Sequence, residues 1–501
     1  MSMTDPAAAL NPELNDSLLA LQAIVRQAAR DGTPLHEVER ALWQQLLRIG
    51  RQALTAFFAL LGQGDRGETL TLPDGTTLQR LPKTHDRRYL SVFGEFVLCR
   101  TAYGSREGQK IDFVPLDNRL NLPEGVFSYL LQDWDQSLCA EQAFGQVSDT
   151  IARILGIKQS VDSLEHTNQH MAQSATPYRL NRPAPPPDQE GELFVASADG
   201  KGIVMRRAAD EAAPAAHRTK GAKASRMRMA TVGAVYSVDR HVRTPEQVLA
   251  ALFRDEAEQK PPARPCPEHK QVWASLPQED AAKVSGMEAV YLWMTWELCR
   301  RNPGQHKETV QLYDGQEALW QAGVENLPQK NSVGILDVLH VTPRLWQAAH
   351  LFEPEGSAGA ESFARERILR VLKGEVLLVV RGLRVMGTKR GLKGSKKESL
   401  EAICGYLERN AERMRYHEYL QAGYPIASGV IEGACRHVVK DRMERAGMHW
   451  TREGAEAMLE VRSLFVSDCW EAFQAFRIDQ ETQRLYPHRA LVEGTQFMMA
   501  V

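Results

Sequence analysis

The chain has 501 residues, with 61 Lys and Arg against 63 Asp and Glu, and 43% of it is apolar. At roughly 150 residues per domain this length accommodates about three domains, and the balance of apolar and charged residues excludes a wholly disordered chain. The longest apolar run, residues 53–61, is broken by Thr55 and falls far short of the roughly 20 residues that span a bilayer. No membrane segment is expected, and MSMTDPAAALNPELND lacks the basic and apolar regions of a secretory leader.

Seven cysteines, at 99, 139, 266, 299, 404, 435 and 469, form no CxxC pair, so a reducing, intracellular setting without a disulfide framework is expected. Net charge is close to zero, but two segments are locally basic. Residues 201–228 hold eight Lys or Arg against two acids, and residues 381–397 hold seven against none. Such clusters read as anion-binding faces or as solvated basic loops.

Apolar residues recur at helical spacing in residues 12–63 (Leu18, Leu21, Ile24, Val25; then Leu42, Leu46, Leu54, Phe57), which predicts a packing or oligomerisation hairpin. Residues 66–122 contain short β-like runs separated by turn signals such as Pro73-Asp74-Gly75. The next stretch, FGQVSDTIARILGIKQSVDSLEHTNQHM, predicts a helix, a turn at Gly156 and a second helix opened by Ser160. This reads either as a helix-turn-helix that docks in a DNA groove or as plain helical packing. The Pro-rich NRPAPPPDQE at 182–191 predicts a linker.

Beyond it the texture is α/β. Strands are predicted at 193–198, 227–238, 309–313 and 333–341, then helices from Pro343 to about Tyr424, from Ser428 to about 446, and after Trp450-Thr451. Cys266-x-x-His269 is a lone pair between prolines and does not make a metal set.

Asp199 and Asp314 each close an apolar run and precede Gly. In open α/β sheets, sites form at the carboxyl ends of strands. Glu432 follows the N-cap candidate Ser428 within the first two turns of a helix, with Arg436 and Lys440 at i+4 and i+8 and His437 and Arg442 nearby. Three such carboxylates are what a pair of Mg²⁺ ions needs for phosphodiester chemistry. Each Asp-Gly also reads as a turn, and the Glu432 ladder as ordinary ion pairs.

Four segments, SADGKG, YDGQEALW, GILDVLHVTPRLWQAAHLF and GYPIASGVIEGACRHVVKDRMERAGMHW, together resemble bacterial insertion-sequence DDE transposases of the ISKra type. The resemblance covers residues 93–464, and its last segment is the most specific. It implies an α/β RNase H-like (retroviral-integrase-like) catalytic core with a helical insertion, preceded by a helical and strand-rich N-terminal DNA-binding region. It also implies Mg²⁺-dependent DNA cutting and joining at terminal inverted repeats, with two Mg²⁺ ions that Mn²⁺ can replace. The implied partners are double-stranded DNA, as transposon ends and target, and a second copy of the chain, in a bacterial cytoplasm at the nucleoid.

By the same resemblance Asp199 is the first acid and Glu432 the third, with Asp314 as the second. Asp337, of an Asp-x-x-His motif with His340, is the rival second acid, and His340 steadies the scissile phosphate or is a core histidine. DNA contacts fall to Lys201, Arg206, Arg207, Arg226, Arg228, Lys389, Arg390, Lys393, Lys396, Lys397, Arg436, His437, Lys440, Arg442 and Trp450. Phosphate contacts of this kind give affinity and salt dependence rather than sequence reading, and Trp450 would stack on an unpaired base.

The division expected along the chain is therefore 1–65 for oligomerisation, 66–123 strand-rich, 124–181 helix-turn-helix and 182–191 linker. The core follows at 192–342, the insertion at 343–427, the Glu432 helices at 428–477 and a tail at 478–501. A DNA-binding protein without catalysis, whether domesticated relative or repressor, is the alternative.

Overall fold

The computed structural model describes residues 12–105, 111–206, 227–255, 263–277, 284, 286–445 and 447–492. The chain divides into two compact units. One comprises Met1–Ser174 with Trp470–Val501, and the other is the continuous Ala175–Cys469.

The first unit opens with the expected helices α1 (Pro12–Asp31) and α2 (Leu35–Leu61). Next come β1 (Thr69–Thr71), β2 (Thr77–Arg80), β3 (His85–Ser91), β4 (Gly94–Arg100) and β5 (Tyr103–Gly104). They pair antiparallel as β1-β2-β5 and as the hairpin β3-β4. Phe96 and Leu98 of β4 pack with Leu122, Leu54 and Phe58, which sets the strand-rich module on α2. Then follow α3 (Pro115–Leu120), α4 (Tyr129–Glu141), α5 (Phe144–Leu155) and α6 (Val161–Ala172).

The α5–α6 turn follows its sequence signals. Gly156 ends α5 at φ 73°, a left-handed conformation that glycine adopts without Cβ strain, and Ser160 Oγ caps α6 by accepting from the Ser163 amide at 3.1 Å. Under the turn, Gln159 Nε2 donates to Asp135 Oδ2 of α4 at 2.8 Å, and Asn168 of α6 donates to Gln136 at 3.0 Å. The unit is completed by the helix Trp470–Leu485. Its Arg477 donates to Gln132 at 3.0 Å, and Tyr486 donates to the Leu122 carbonyl at 2.5 Å. The expected featureless tail is thus a core helix up to Leu485.

The second unit starts with α7 (Ala175–Asn181). The Pro-rich 182–191 stretch lies inside this unit rather than between the two. Glu190 is buried, and both its oxygens accept from Arg301 at 2.7 Å, while the Glu190 and Gly191 carbonyls accept from Lys307 Nζ. The sheet is built from β6 (Leu193–Val204), β7 (Met227–Val238), β8 (Glu268–Ser275), β9 (Glu308–Tyr313) and β10 (Ser332–Leu336). Its order is β10-β9-β6-β7-β8. β7 runs antiparallel to β6 and β8, whereas β9 and β10 run parallel to β6. Residues 193–198 of β6 are buried on both faces, which is why they read as an unbroken apolar run rather than an alternating one.

Helices surround the sheet: α8 (Pro245–Phe253), α9 (Gly286–Arg301), α10 (Glu317–Asn326), α11 (Val338–Phe352), α12 (Ala358–Leu372), α13 (Val376–Lys389), α14 (Gly394–Arg409), α15 (Tyr416–Gln421) and α16 (Gly429–Ala434). A π-helical turn (Cys435–Lys440), α17 (Asp441–Met443) and α18 (Arg452–Val466) end the unit. The molecule is therefore mixed α/β with a helical majority around a mixed sheet. No helix of the described residues is long and apolar enough to cross a membrane.

Two sequence readings differ from these elements. The apolar run 333–341 is not one strand. β10 stops at Leu336, and Asp337 caps α11 by accepting from the Leu339 amide at 2.8 Å, so His340 lies in the first turn of a helix. The basic 381–397 stretch is not a loop. It spans the end of α13, a short turn and the start of α14, held together by Leu383, Gly387 and Leu400 in the interior.

Candidate active site

The parallel partner β9 follows β6 only from Leu193 to Ser197, while β7 pairs with β6 along its whole length. Asp199 therefore sits just beyond the point where β9 leaves. It is half-buried in a strand that continues to Val204 rather than at a strand terminus. Gly200 makes no turn, contrary to the sequence reading. It pairs with Thr231, and an added Cβ would press on the Met229 side chain. Asp314 does end its strand, β9. Gly315 beside it is required by close approach, because a Cβ there would collide with the Tyr406 ring.

Ser428 organises the site. Its amide donates to Asp337 Oδ2 at 3.0 Å. Its hydroxyl lies 3.2 Å from Ser197 Oγ of β6 and accepts from the Ile431 amide at 3.3 Å, capping α16. The Asp337 amide donates to the Tyr313 carbonyl at 2.8 Å, and the Val338 amide to the Ile426 carbonyl at 2.9 Å. The ends of β9 and β10 and the starts of α11 and α16 are thereby tied to one another.

One ligand atom from each of Asp337, His340 and Glu432 lies within 4.8 Å of the other two. Asp199 reaches the same helix segment from β6, where its Oδ2 accepts from Cys435 Sγ at 3.7 Å, three residues after Glu432. Asp314 does not join the Asp337–His340–Glu432 group. Its Oδ1 accepts from the Gln316 amide at 2.8 Å, and its carbonyl accepts from Trp320 Nε1 at 2.7 Å. Burial pushes the Asp337 carboxyl above the ordinary carboxylate range, and Glu432 pushes the same way. The Leu339 and Ser428 amides and His340 oppose them. Burial and then Asp199 likewise raise the Cys435 thiol. Burial also raises Tyr406 to about 12, and Asp314 and then Asp337 add to the shift against Arg344.

The basic residues fall into several classes. Arg206, Arg228, Lys389, Arg390, Lys393, Lys396, Lys397, Arg436, His437 and Lys440 are exposed. Lys201 pairs with Glu444 at 3.2 Å, and Arg436 and His437 both face Asp441, at 3.4 and 3.1 Å. The π-helical turn at Cys435–Lys440 breaks the regular i, i+4, i+8 face expected for Glu432, Arg436 and Lys440. Arg442 and Trp450 are interior, contrary to the expectation that they meet DNA. The guanidinium lies 5.0 Å from the Trp450 ring centre, and Trp450 joins the end of β6 through its amide to the Val204 carbonyl at 3.0 Å. Arg207 and Arg226 lie outside the described residues. Cys266 and His269 do not act together, since the His269 ring meets the Gln189 carbonyl at 3.1 Å.

Sequence reasoning missed two participants, Ser428 as the hub and Cys435 beside Asp199. Ser428 was visible only as a cap, because its long-range bonds to residues 197 and 337 leave no local pattern.

No family model matches the chain, and no curated protein matches it in sequence. Among solved structures, the chain is similar at a TM-score of 0.23 and 9% identity to the Drosophila P element transposase strand transfer complex, over 74% of this chain and 82% of that one. A likeness of that degree decides neither fold nor function.

Proposed function

We propose that this chain is a metal-dependent DNA strand-cleaving and strand-transferring enzyme of the transposase type, with Asp199, Asp337 and Glu432 as its acids. The observation that carries the reading is the meeting of Asp337, His340 and Glu432 within 4.8 Å, with Asp199 of β6 contacting Cys435 one turn after Glu432. Among the described residues, no Lys or Arg forms an ion pair with any of them. Carboxylates crowded together without a cation are costly unless a metal or proton neutralises them. The strand order β8-β7-β6-β9-β10, three antiparallel strands extended by two parallel ones, is the arrangement an RNase H-like core requires. The segments carrying Asp199, Asp337 and Glu432 are also those that resemble insertion-sequence transposases.

The donor set of two carboxylates and one imidazole, with Asp199 proposed as a further carboxylate, suits Mg²⁺ or Mn²⁺. A bound pair of such ions would supply Lewis-acid activation and neutralise charge at a phosphodiester. The protein's own part is positional. Ser428 and the Leu339 amide hold Asp337 in one orientation, the α16 cap fixes Glu432, and His340 stands beside both, ready to donate to a phosphate oxygen. Asp314, outside the group, serves this reading as a strand-end residue that orders the β9–α10 turn.

Two other surfaces fit the same reading. The exposed Lys389, Arg390, Lys393, Lys396 and Lys397 at the α13–α14 tip offer phosphate contacts, and α5–α6 has the form of a helix-turn-helix. The exposed Leu19, Leu35, Trp43, Leu46 and Leu60 of α1 and α2 favour a second copy of the chain, which holding two DNA ends demands.

The decisive experiment is Mg²⁺-dependent nicking and strand transfer on the DNA that flanks the gene, which this reading expects to carry inverted repeats. Asp199→Asn, Asp337→Asn and Glu432→Gln should each lower nicking by about 100-fold or more and shrink the thermal shift caused by Mn²⁺, whereas Asp314→Asn should keep both. If all four variants nick like wild type, the enzyme reading fails. If Asp314→Asn alone is inactive, the second acid is Asp314.

A further inference from the structure

A cavity of about 390 Å³ opens beside the C-terminal end of β7. Its walls come from Tyr236 and Val238 of β7, the segment 239–243, the segment 264–267 and the strap 423–430 that leads into α16. Arg243 is fixed in it, with Nη2 donating to the Tyr424 carbonyl at 2.7 Å and Nε to the His241 carbonyl at 3.1 Å. Arg264 faces the same space, and among the described residues neither guanidinium meets a carboxylate. Burial and then the neighbouring Arg264 pull Arg243 down to about 10, and burial followed by both arginines lowers His241.

Two guanidiniums lining one cavity, with no carboxylate paired to either among the described residues, favour an anion there. Asp239, also in the wall, is engaged by the Glu192 amide at 3.2 Å, and with it counted the cavity still carries net positive charge. Much of the remaining lining is apolar, including Val238, Pro265, Pro425 and Val430. Ligand cavities start near 300 Å³ and combine apolar walls with a few convergent polar groups. A carboxylate can bridge two guanidiniums, as Asp117 does between Arg87 and Arg100, but it brings a single negative charge and two acceptor oxygens. A phosphate monoester, with a charge of roughly −1.5 to −2 at neutral pH, matches two.

We propose that this cavity binds a phosphate monoester attached to an apolar group. A free small molecule and the 5′-phosphorylated end nucleotide of a DNA strand share that chemistry. None of the proposed acids lines the cavity, although its strap leads through Ala427, Gly429 and Val430 into the helix that carries Glu432.

Phenyl phosphate is the probe, used on the full chain. It should give saturable binding in calorimetry, phenol should not bind, and inorganic phosphate should bind more weakly. Cys266, in the cavity wall, and Cys299, outside it, are both exposed thiols. Phenyl phosphate should slow modification of Cys266 by a thiol reagent and leave Cys299 unchanged. Arg264→Gln, at an exposed residue free of hydrogen bonds and ion pairs among the described residues, should weaken binding about tenfold, the value of one charge-assisted contact. It decides the matter even if Arg243→Gln fails to fold. A 5′-phosphorylated oligonucleotide that displaces phenyl phosphate, when its 5′-hydroxyl counterpart does not, assigns the site to a DNA end; displacement by neither assigns it to a small molecule. Absence of both heat and Cys266 protection at millimolar phenyl phosphate, or an unchanged affinity in Arg264→Gln, overturns the proposal.

Discussion

At the level of single residues, Ser428 does the work of three contacts: it caps α16, meets Ser197 and holds Asp337 by its amide. Ser428→Ala removes the first two. It should cost about 1–2 kcal/mol in denaturant unfolding and weaken the Mn²⁺-induced thermal shift, because Glu432 loses its fixed turn. Asp135 supplies a pH test. Burial raises its carboxyl to about 7 from an ordinary 3.8, against the Gln159 hydrogen bond, and its Oδ1 has no partner among the described residues. The folded state thus holds a proton that the unfolded state releases. That stability is full below the ordinary carboxylate range and is lost as pH rises through about 7. Wild type should therefore lose roughly a few kcal/mol between pH 4 and pH 8 from this group, and Asp135→Asn should flatten the slope in melts across that range. Equal slopes would show that Asp135 is not the titrating group. The cap at Ser428 and the acid at 432 were legible because both signals are local. The roles of Asp337 and Cys435 were not, since they depend on contacts across 91 and 236 residues.

At the level of elements, the α13–α14 hairpin explains why a Gly-rich basic run read as a loop. Four glycines between 382 and 394 mask the helical spacing of Val376, Val379, Val380, Leu383 and Gly387, all buried. Arg384 is spent internally on Glu401 and Glu408, so the exposed cations left for phosphate are Arg381 and those at the tip. Replacing Lys393, Lys396 and Lys397 by Gln should leave the melting curve unchanged and reduce the salt slope of DNA binding by roughly 0.9 per lysine; an unchanged slope would remove the hairpin from the DNA surface. The β10–α11 junction misled in the opposite sense. Its apolar residues run without a break from strand into helix, and only the Asp337 cap marks the change. Where a boundary had its own punctuation, as at Gly156 and Ser160, element and ends were both readable.

At the level of the whole molecule, the split into two units has unequal consequences. The large core from Leu193 to Ile426 lies entirely within Ala175–Cys469, so a fragment of residues 175–469 should unfold cooperatively and keep its Mn²⁺ shift. A fragment of residues 1–174 lacks the helix that brings Phe473 and Arg477 into its interior. It should melt lower and less cooperatively than the same fragment supplemented with a 470–492 peptide. If the two behave alike, the closing helix is dispensable. The division was not readable in advance because the Pro-rich 182–191 stretch looks like a boundary by composition, yet Arg301 and Lys307 pin it to the sheet unit.

That discontinuous N-terminal unit also dictates the timing of events on the ribosome. Its closing helix emerges roughly 300 residues after Ser174, a delay of about 15–60 s at 5–20 residues per second. Throughout that interval the nascent α1–α6 segment waits with an unfilled interior, and because the sheet unit is complete only at Cys469, the two units become free to finish folding within seconds of each other.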